Sequence, residues 1–535
     1  MTPPDPQPTP AVRLDRALGL AVAAASILVI AVPLLVVRYP PMTDLPFHAA
    51  QSAVFAHHGD PSWHFAEQFV RQPFAVPYMA LFAVTAALML VLPAVAATKL
   101  AAAVLLALLP AGLAVLLRGM KKSPLLGAFG LLAVWGPLTH MAFLNFVGAL
   151  GLFAGAVGVT LEAVDRPTTA RKVALSALLL AIFFTHVFRF PFAIAGVVGA
   201  AVIAGVARRS LRATLASIAP TIVAPIAVFG AWIVVRPRTI QASPGPLSLH
   251  LERLRELGCL TGSFRDPGER VALWIAGAAL AAYVAIAIVG RARAATPPVA
   301  AEDARARRAA RLVAMACAIA SLLAYLVLPL SVGSWWYVYP REATAAAFLA
   351  LALLPDLPRA PALRAIGVAL ALAASVPTTV VVARNYAAFD DQTRDFDALV
   401  ARLPQAPRLA YLVFDHDGST RTISPFTHLP AWVQAQKGGW LSFHFDHFGS
   451  APASYRPRAP GDRDVPPPTP DAWEWRPDAF VIDDERGRFF DWFLVRAKES
   501  PARVFAADPA VALVDRAGLW WLYRRAEAPA AEAAP

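Results

Sequence analysis

The sequence predicts a polytopic α-helical membrane protein that carries a water-soluble α/β domain at its C-terminus. Of its 535 residues, 58% are hydrophobic and only 16% are charged, whereas a soluble domain has about 25% charged residues. The hydrophobic residues are gathered in about twelve blocks, and many of these are long enough for a helix to cross a hydrocarbon layer of about 30 Å. These two observations exclude an ordinary soluble enzyme.

The hydrophobic blocks end at basic loops, which predict the topology. The blocks lie at approximately residues 18–37, 74–92, 94–117, 125–138, 142–163, 173–186, 189–207, 213–235, 270–290, 311–330, 343–356 and 363–383. Lys and Arg cluster in short loops between them, and such loops stay in the cytoplasm. The net charge of +12 therefore reflects topology rather than nucleic-acid binding.

The positions of the basic loops require an odd number of crossings between residues 38 and 118. Block 74–92 is therefore expected to lie in the membrane interface, and the predicted total is about eleven transmembrane helices. The first block is too long for a cleavable signal and predicts a retained anchor with a cytoplasmic N-terminus. High Ala, Arg and Pro content is typical of a multi-pass protein of a bacterial inner membrane.

Three regions are expected along the chain. Residues 1–385 form the transmembrane domain, with a first outer loop at 38–73. Residues 386–525 are more polar, contain strand-length apolar runs at 409–414, 479–482 and 511–514, and predict an extracytoplasmic α/β domain. Residues 526–535 are expected to be a disordered tail.

The first outer loop contains the best candidate for a catalytic carboxylate, Asp44, followed by His48, His57, His58 and His64. A carboxylate near the membrane surface can act as a general base toward a hydroxyl group. A structural role is equally compatible with the sequence, because Asp before a Leu-Pro pair is also typical of a helix N-cap. A zinc site built from these histidines is disfavoured, since no known ligand spacing is present.

This arrangement resembles the GT-C superfamily of integral membrane glycosyltransferases. The resemblance is carried by the retained first helix, the long outer loop that begins with an acidic residue, the interfacial helix and the outer C-terminal domain. It implies a GT-C-like fold, Asp44 in Thr-Asp-Leu-Pro-Phe-His as catalytic base, and a polyprenyl-phosphate-linked sugar as donor. Many members have two adjacent acidic residues, but Asp44 stands alone, which leaves the need for a divalent cation open.

The resemblance also calls for a cation near the donor phosphate. Arg341 follows a run of aromatic residues that includes Tyr339, and these rings suit a lipid headgroup or a sugar. The alternative is an aromatic belt at the membrane interface, with Arg341 paired to Glu342.

Four polar residues in the middle of apolar hairpins are expected to avoid lipid: His140, Asn145, His186 and Arg189. The topology places them on the same side as Asp44, where they could bind substrate together with His48. Arg189 is a second candidate, beside Arg341, for binding the donor phosphate. Hydrogen bonds between helices would explain them equally well.

In the C-terminal domain, residues 426–432 and 437–447 are rich in aromatic residues and histidine. They could form a cap over the membrane site or simply pack beneath the domain. No nucleophile elbow, P-loop or dinucleotide-binding fingerprint is present, which disfavours a hydrolase or an ATPase.

The sequence therefore favours transfer of a sugar from a polyprenyl phosphate to a lipid, glycan or protein acceptor on the outer face. Membrane lipids and the lipid-linked sugar are the expected partners, and no nucleic acid is expected. Two other classes stay open: a transporter or flippase of a lipid-linked substrate, and a non-enzymatic membrane assembly protein.

Overall fold

The computed structural model describes residues 10–72, 78–236, 247–258, 262–293, 300–332, 335–417, 424–445, 451–468 and 472–526. Helices dominate the N-terminal three quarters of the chain. They are α1 (Pro10–Leu35), α2 (Leu45–His57), α3 (Phe65–Gln68), α4 (Met79–Met89), α5 (Ala94–Gly119), α6 (Pro137–His140), α7 (Leu144–Asp165), α8 (Thr169–Thr185), α9 (Arg189–Ala207), α10 (Leu211–Val235), α11 (Pro267–Arg293), α12 (Ala301–Val327), α13 (Val338–Ala350), α14 (Pro361–Ala373), α15 (Val376–Arg402), α16 (Ala431–Lys437), α17 (Ala472–Trp475) and α18 (Glu485–Arg488).

Strands are short and lie mostly in the C-terminal part. They are β1 (Phe69–Arg71), β2 (Arg408–Val413), β3 (Trp440–Leu441), β4 (Ala453–Tyr455), β5 (Trp492–Arg496), β6 (Val511–Ala517) and β7 (Trp520–Arg525). Short 3₁₀ helices connect the elements at Pro61–Trp63, Pro124–Ala133, Leu251–Arg255, Leu351–Leu353, Pro477–Ala479 and Pro501–Phe505.

The chain is a multi-pass membrane protein. Among the described residues, eight helical segments are long and apolar enough to cross a bilayer: Val12–Leu35, Ala94–Gly119, Leu144–Asp165, Arg189–Ala207, Leu211–Val235, Pro267–Ala292, Ala301–Val327 and Pro361–Arg402. The sequence predicts about eleven crossings, and the difference arises where predicted blocks fold as shorter segments. Block 125–138 contains the 3₁₀ helix Pro124–Ala133, and most of block 343–356 is divided between α13 and Leu351–Leu353. The third block, 173–186, lies in α8, whose 17 residues are at the lower limit of length for a spanning helix.

Block 74–92 also forms a short helix. Helix α4 has 11 residues and is therefore about 16 Å long, roughly half the thickness of the hydrocarbon layer. A helix of this length is shorter than a bilayer crossing needs, and the interfacial position of the block stays a prediction. Pro73 and Pro77, at the beginning of this block, lie outside the described residues.

Close contact between α5 and α7 fixes the centre of the helical domain. A Cβ atom at Gly112 would lie 1.9 Å from the carbonyl oxygen of Gly151, and two turns further a Cβ at Gly119 would lie 2.3 Å from that of Gly158. Small residues at this spacing let two membrane helices approach backbone to backbone. This close contact with α5 holds α7 in place, and the first turn of α7 is part of the candidate site.

The soluble domain contains a five-stranded sheet in the order β3-β2-β5-β7-β6. Strand β2 is parallel to β3 and β5, whereas β7 is antiparallel to β5 and β6. Helix α15 runs from the apolar region into this domain, so the predicted boundary at residue 386 falls inside a helix.

The apolar runs in the sequence predict two of the five strands of this sheet. The apolar runs at 409–414 and 511–514 coincide with β2 and β6, but the run at 479–482 is not a strand. It begins at the last residue of the 3₁₀ helix Pro477–Ala479, and its Phe480 and Ile482 are buried in the apolar cluster on one face of the sheet. Of the predicted tail, residues 527–535 lie outside the described part of the chain.

The first outer loop is tied to the soluble domain. Strand β1 in this loop pairs antiparallel with β4, with Phe69 opposite Tyr455. Helix α2 packs against α16 of the domain, and Leu45 and Phe47 are fully buried. Helix α2 is therefore enclosed between the membrane helices and the soluble domain.

Candidate functional site

A cavity of about 880 Å³ lies where the first outer loop, the membrane helices and the soluble domain meet. Most of its wall is apolar and aromatic, and a small number of polar groups face it, which is typical of a ligand-binding cavity. Its lining residues are Thr43, Asp44, His48, Gln51, Tyr78, Phe82, Met141, Ala142, Phe143, Asn145, Phe146, His186, Trp335, Trp336, Tyr337, Arg341, His428, Phe445, Ala451 and Trp475.

Asp44 lies at the start of α2, as the N-cap interpretation predicts, but its side chain does not cap the helix. Its backbone is helical, with φ −89° and ψ −7°, and the carboxylate makes no capping hydrogen bond. The preceding Thr43 N–H donates to the carbonyl of His140 at 2.9 Å, which fixes the turn into the helix. The carboxylate is therefore available to a ligand in the cavity.

His48 and Gln51 follow Asp44 at intervals that place all three on one face of α2. The His48 ring is hydrogen-bonded to the carbonyl of Ala142, and its buried Nδ1 has no partner among the described residues, so Nε2 is the donor. Burial lowers the pKa of His48, which lies outside the candidate spans. The neutral ring therefore offers Nδ1 as a hydrogen-bond acceptor.

Arg341, in the first turn of α13, supplies a positive charge to the cavity. Its Nη2 donates to the carbonyl of Trp336 at 2.7 Å, and Nη1 donates to Nε2 of His186 at 3.3 Å. The guanidinium carbon lies 4.1 Å from the ring centroid of Phe143, and Nε has no partner among the described residues. None of these contacts neutralises the charge.

His186 and Asn145 also line the cavity, and both organise its wall. His186 accepts the hydrogen bond from Arg341 and packs edge-on against Tyr78, with ring centroids 5.0 Å apart. Asn145 accepts from the backbone N–H of Leu81 at 3.1 Å and donates to the carbonyl of Tyr78 at 3.2 Å. It thereby fixes the start of α4 beside the cavity.

Three residues predicted to bind substrate are not among the described lining residues: His140, Arg189 and Tyr339. The Nδ1 atom of His140 lies 2.9 Å from the carbonyl of Gly136, and Arg189 is buried and paired with Glu342 at 2.7 Å. These two residues contact residues of the cavity wall: the His140 carbonyl accepts a hydrogen bond from Thr43, and Arg189 packs on the ring of Phe146.

Tyr339 lies on a different face of its helix from Arg341. Its hydroxyl donates to Glu256 at 3.2 Å, and the guanidinium of Arg253 lies 3.7 Å from its ring centroid. Residues two apart on an α-helix point about 200° apart, so Arg341 and Tyr339 cannot both face the cavity. Tyr337, just before the helix, lines the cavity instead.

Two residues of the cavity wall have left-handed backbone conformations, which are rare for residues other than glycine. The φ angle is 62° at Ala142 and 61° at Tyr337. Such conformations are energetically unfavourable and are concentrated at functional sites. At Ala142, the conformation lies at the residue whose carbonyl accepts the hydrogen bond from His48.

Sequence reasoning offers a cap from the soluble domain but does not identify the contacts that the domain makes in the site. His428 lies with its Nδ1 3.3 Å from Oδ1 of Asp44, and Trp475, 53% exposed, stacks on His416 at the cavity. The aromatic segment 426–432 is a candidate cap by its sequence, but its contact with Asp44 joins residues nearly 400 positions apart in the chain. Asp446 and His447 of the second segment lie outside the described residues.

The other histidines of the first loop have separate partners. His57 stacks on Trp63 with ring centroids 3.9 Å apart, His58 contacts the carbonyl of Phe69 at 3.1 Å, and His64 contacts Glu67 at 3.3 Å. Across the described ranges, no group of three or more His, Cys, Asp or Glu side chains is placed to hold a metal ion.

Comparison with known proteins identifies the fold. No protein-family model and no curated protein matches the sequence. The crystal structure of ArnT from Cupriavidus metallidurans bound to undecaprenyl phosphate matches with a TM-score of 0.55 and 14% identity, over 96% of this chain and 99% of that one. The apo structure of the same protein matches with a TM-score of 0.54 and 14% identity, over 95% and 98% of the two chains.

At this level of identity the likeness establishes the fold. It extends over both the membrane helices and the soluble domain, since the aligned region covers nearly the whole of each chain. The chain is therefore a polytopic membrane protein with the GT-C-type fold of ArnT.

Proposed function

We propose that the chain is a membrane glycosyltransferase that moves a hexosyl or pentosyl group from a polyprenyl-phosphate donor to a hydroxyl group of a lipid, glycan or protein on the outer face. The observation that carries the proposal is the convergence of Asp44 and Arg341 on one largely apolar cavity. One group can accept a proton, and the other can hold a phosphate. The two charges that the reaction needs are thus supplied by the chain itself.

In the proposed reaction, the acceptor oxygen attacks the anomeric carbon of the donor sugar while the bond between that carbon and the phosphate oxygen breaks. Asp44 takes the proton that the acceptor hydroxyl loses. The bonding pair of the broken bond stays on the phosphate, so that polyprenyl phosphate leaves with one additional negative charge. A positioned general base typically contributes about 10²- to 10⁴-fold in rate.

Arg341 is the proposed site for the phosphate. A guanidinium that faces a water-poor cavity stabilises the charge that develops on a leaving phosphate. His186 and the carbonyl of Trp336 hold its two terminal nitrogens in fixed directions, so little reorganisation is needed when the charge develops. The ArnT structure with undecaprenyl phosphate gives a precedent for this lipid class in the same fold.

His48 is proposed to orient a substrate hydroxyl. Its Nε2 is committed to the carbonyl of Ala142, and its unpaired Nδ1 lies one helical turn beyond Asp44. A neutral imidazole with one nitrogen fixed in this way accepts a hydrogen bond with the other. The contact would turn the hydroxyl group toward the carboxylate.

The proposed reaction relies on one carboxylate. Asp44 is the sole acidic residue among the described residues that line the cavity, and Arg341 meets the charge of the phosphate.

The test is sugar transfer by the purified chain in lipid vesicles, with a panel of polyprenyl-phosphate sugars and with lipid, glycan and peptide acceptors. We expect transfer by the wild type and a loss of about 10²- to 10⁴-fold in Asp44→Asn, because the amide cannot accept the proton. Transfer by the wild type that persists in Asp44→Asn would remove Asp44 from the reaction.

A matched control is Asp60→Asn in the same outer loop. Asp60 is exposed and accepts hydrogen bonds from the backbone N–H and hydroxyl of Ser62, at 3.0 and 2.8 Å. Asparagine can accept the same bonds. We therefore expect Asp60→Asn to transfer sugar at the wild-type rate.

A further inference from the structure

The geometry points to His428 of the soluble domain as a positioning residue that orients the Asp44 carboxylate for proton transfer. The inference rests on the proposed function, in which Asp44 is the base. It assigns to the soluble domain a direct part in the reactive centre. No proton transfer to His428 is required, because a hydrogen bond from its ring is sufficient to hold the carboxylate.

The contact joins one atom of each residue. Nδ1 of His428 lies 3.3 Å from Oδ1 of Asp44, with 7% and 22% of the two side chains exposed. The pair does not meet the geometry of a hydrogen bond in the structure. A small rotation of the uncapped Asp44 side chain brings Oδ1 in line with an N–H at Nδ1 and leaves Oδ2 for the acceptor hydroxyl. Asp44 needs such a partner because its carboxylate is not engaged by the helix that it begins.

Phenylalanine rings enclose the imidazole on several sides. Its centroid lies 4.9 Å from Phe47 and 5.2 Å from Phe445, both edge-on, and 6.3 Å from Phe443 in a stacked arrangement. These rings restrict rotation of the imidazole. A ring with a fixed orientation fixes the direction of its N–H, which is the requirement for a positioning residue.

The backbones on both sides are also held. The carbonyl of His428 accepts a hydrogen bond from the N–H of Ala431 at 3.0 Å, at the start of α16. Helix α16 packs against α2, the helix that Asp44 begins. The distance between the imidazole and the carboxylate is therefore set by packing between two helices rather than by a free loop.

The inference is tested with two substitutions that separate the ring from its N–H group. His428→Phe keeps a flat ring among the phenylalanines but cannot donate. His428→Asn places an amide N–H near the position of Nδ1 and can donate. Each variant is compared with the wild type in the vesicle assay, with kcat and the donor KM determined separately and the thermal unfolding midpoint recorded.

We expect His428→Phe to lower kcat by about 10- to 100-fold, the range found when a group that orients a reactive residue is removed. The donor KM should change by less than about twofold, because the donor phosphate is bound elsewhere, at Arg341. His428→Asn should recover most of the lost kcat. The unfolding midpoint should be unchanged in both variants.

The control is His250→Phe. Nδ1 of His250 also contacts a carboxylate, Oε1 of Glu252 at 2.7 Å, but neither residue is among the described residues of the cavity wall. Wild-type kcat is expected. The control separates loss of a histidine–carboxylate contact in general from loss of the contact at Asp44.

The outcomes distinguish this inference from the function on which it rests. Wild-type kcat in His428→Phe, or equal losses in the Phe and Asn variants, would overturn the positioning role while the transferase function stands. No transfer by the wild type with any donor and acceptor would overturn both.

Discussion

Arg189 and Arg341 lie against the same aromatic ring, that of Phe146, but Arg189 is paired with a carboxylate and Arg341 has neutral hydrogen-bond partners. The guanidinium carbons are 4.8 and 5.9 Å from the Phe146 centroid. Arg189 is 1% exposed and lies 2.7 Å from the carboxylate of Glu342. Arg341 lines the cavity, and its hydrogen-bond partners among the described residues are the neutral Trp336 carbonyl and His186.

The difference indicates which arginine is structural and which is functional. A buried charge with a carboxylate partner is compensated within the protein. A cation that faces a cavity without such a partner leaves room for an anionic ligand. The chain thus neutralises one arginine and keeps the other available.

Helix geometry explains why Glu342 pairs with Arg189 and not with its neighbour Arg341. Arg341 and Glu342 are neighbours in α13, and successive residues on an α-helix point about 100° apart. Glu342 turns into the protein and reaches Arg189, which lies at the start of α9. The pairing of Arg341 with Glu342, one of the two interpretations of the sequence, therefore does not form.

The largest expected effect on stability comes from breaking the compensated pair. Arg189→Met leaves the Glu342 carboxylate buried without a counter-charge, which typically lowers the free energy of unfolding by about 3–5 kcal/mol. We expect a large decrease in the thermal unfolding midpoint of the purified protein. Arg255→Met, which alters an exposed arginine, should leave it within experimental error.

Removing both charges tests whether the lost stability is due to the unpaired carboxylate. In Arg189→Met with Glu342→Leu, no buried charge is left unpaired, so most of the lost stability should return. A double variant as unstable as Arg189→Met would mean that the packing of Arg189 against its aromatic neighbours matters more than its charge.

A smaller effect is expected at His444, whose charged form is disfavoured by burial. Its ring is 2% exposed, lies 3.3 Å from Nε2 of Gln51, and has its pKa lowered by burial to about 3. The unfolded chain, with a pKa near 6.5, binds more protons than the folded chain between these two values. This group should therefore lower stability as the pH falls, by at most about 1.4 kcal/mol per pH unit.

The measurement is the unfolding midpoint of the wild type and of His444→Asn between pH 7 and pH 4. Asparagine keeps an acceptor for the Gln51 amide but does not titrate in this range. The decline toward low pH should be shallower in the variant. Parallel curves would assign the acid sensitivity to other groups.

Local sequence features predict a substantial part of the candidate site. Asp44 is indicated by its place at the head of the first outer loop, and Arg341 by the preceding aromatic run. His186 and Asn145 are indicated because polar groups inside apolar hairpins are unlikely to face lipid. Each of these signals lies within a few residues of the chain.

The remaining features depend on packing that local patterns do not encode. Whether Tyr337 or Tyr339 faces the cavity depends on where α13 begins, and the partner of Arg189 lies 153 residues away. The contribution of His428 requires the soluble domain to dock on α2. The crossing count differs for a similar reason, because apolar composition alone does not separate a spanning helix from a short 3₁₀ segment.

Binding of polyprenyl phosphate, the proposed leaving group, tests the central claim most directly. Undecaprenyl phosphate is titrated into purified wild type and into Arg341→Gln, and the dissociation constants are compared at equal ionic strength. A hydrogen bond to a charged group contributes about 1.5–3 kcal/mol, so we expect roughly 10- to 100-fold weaker binding by the variant. Equal affinity in the two proteins would contradict the assignment of Arg341 as the phosphate site.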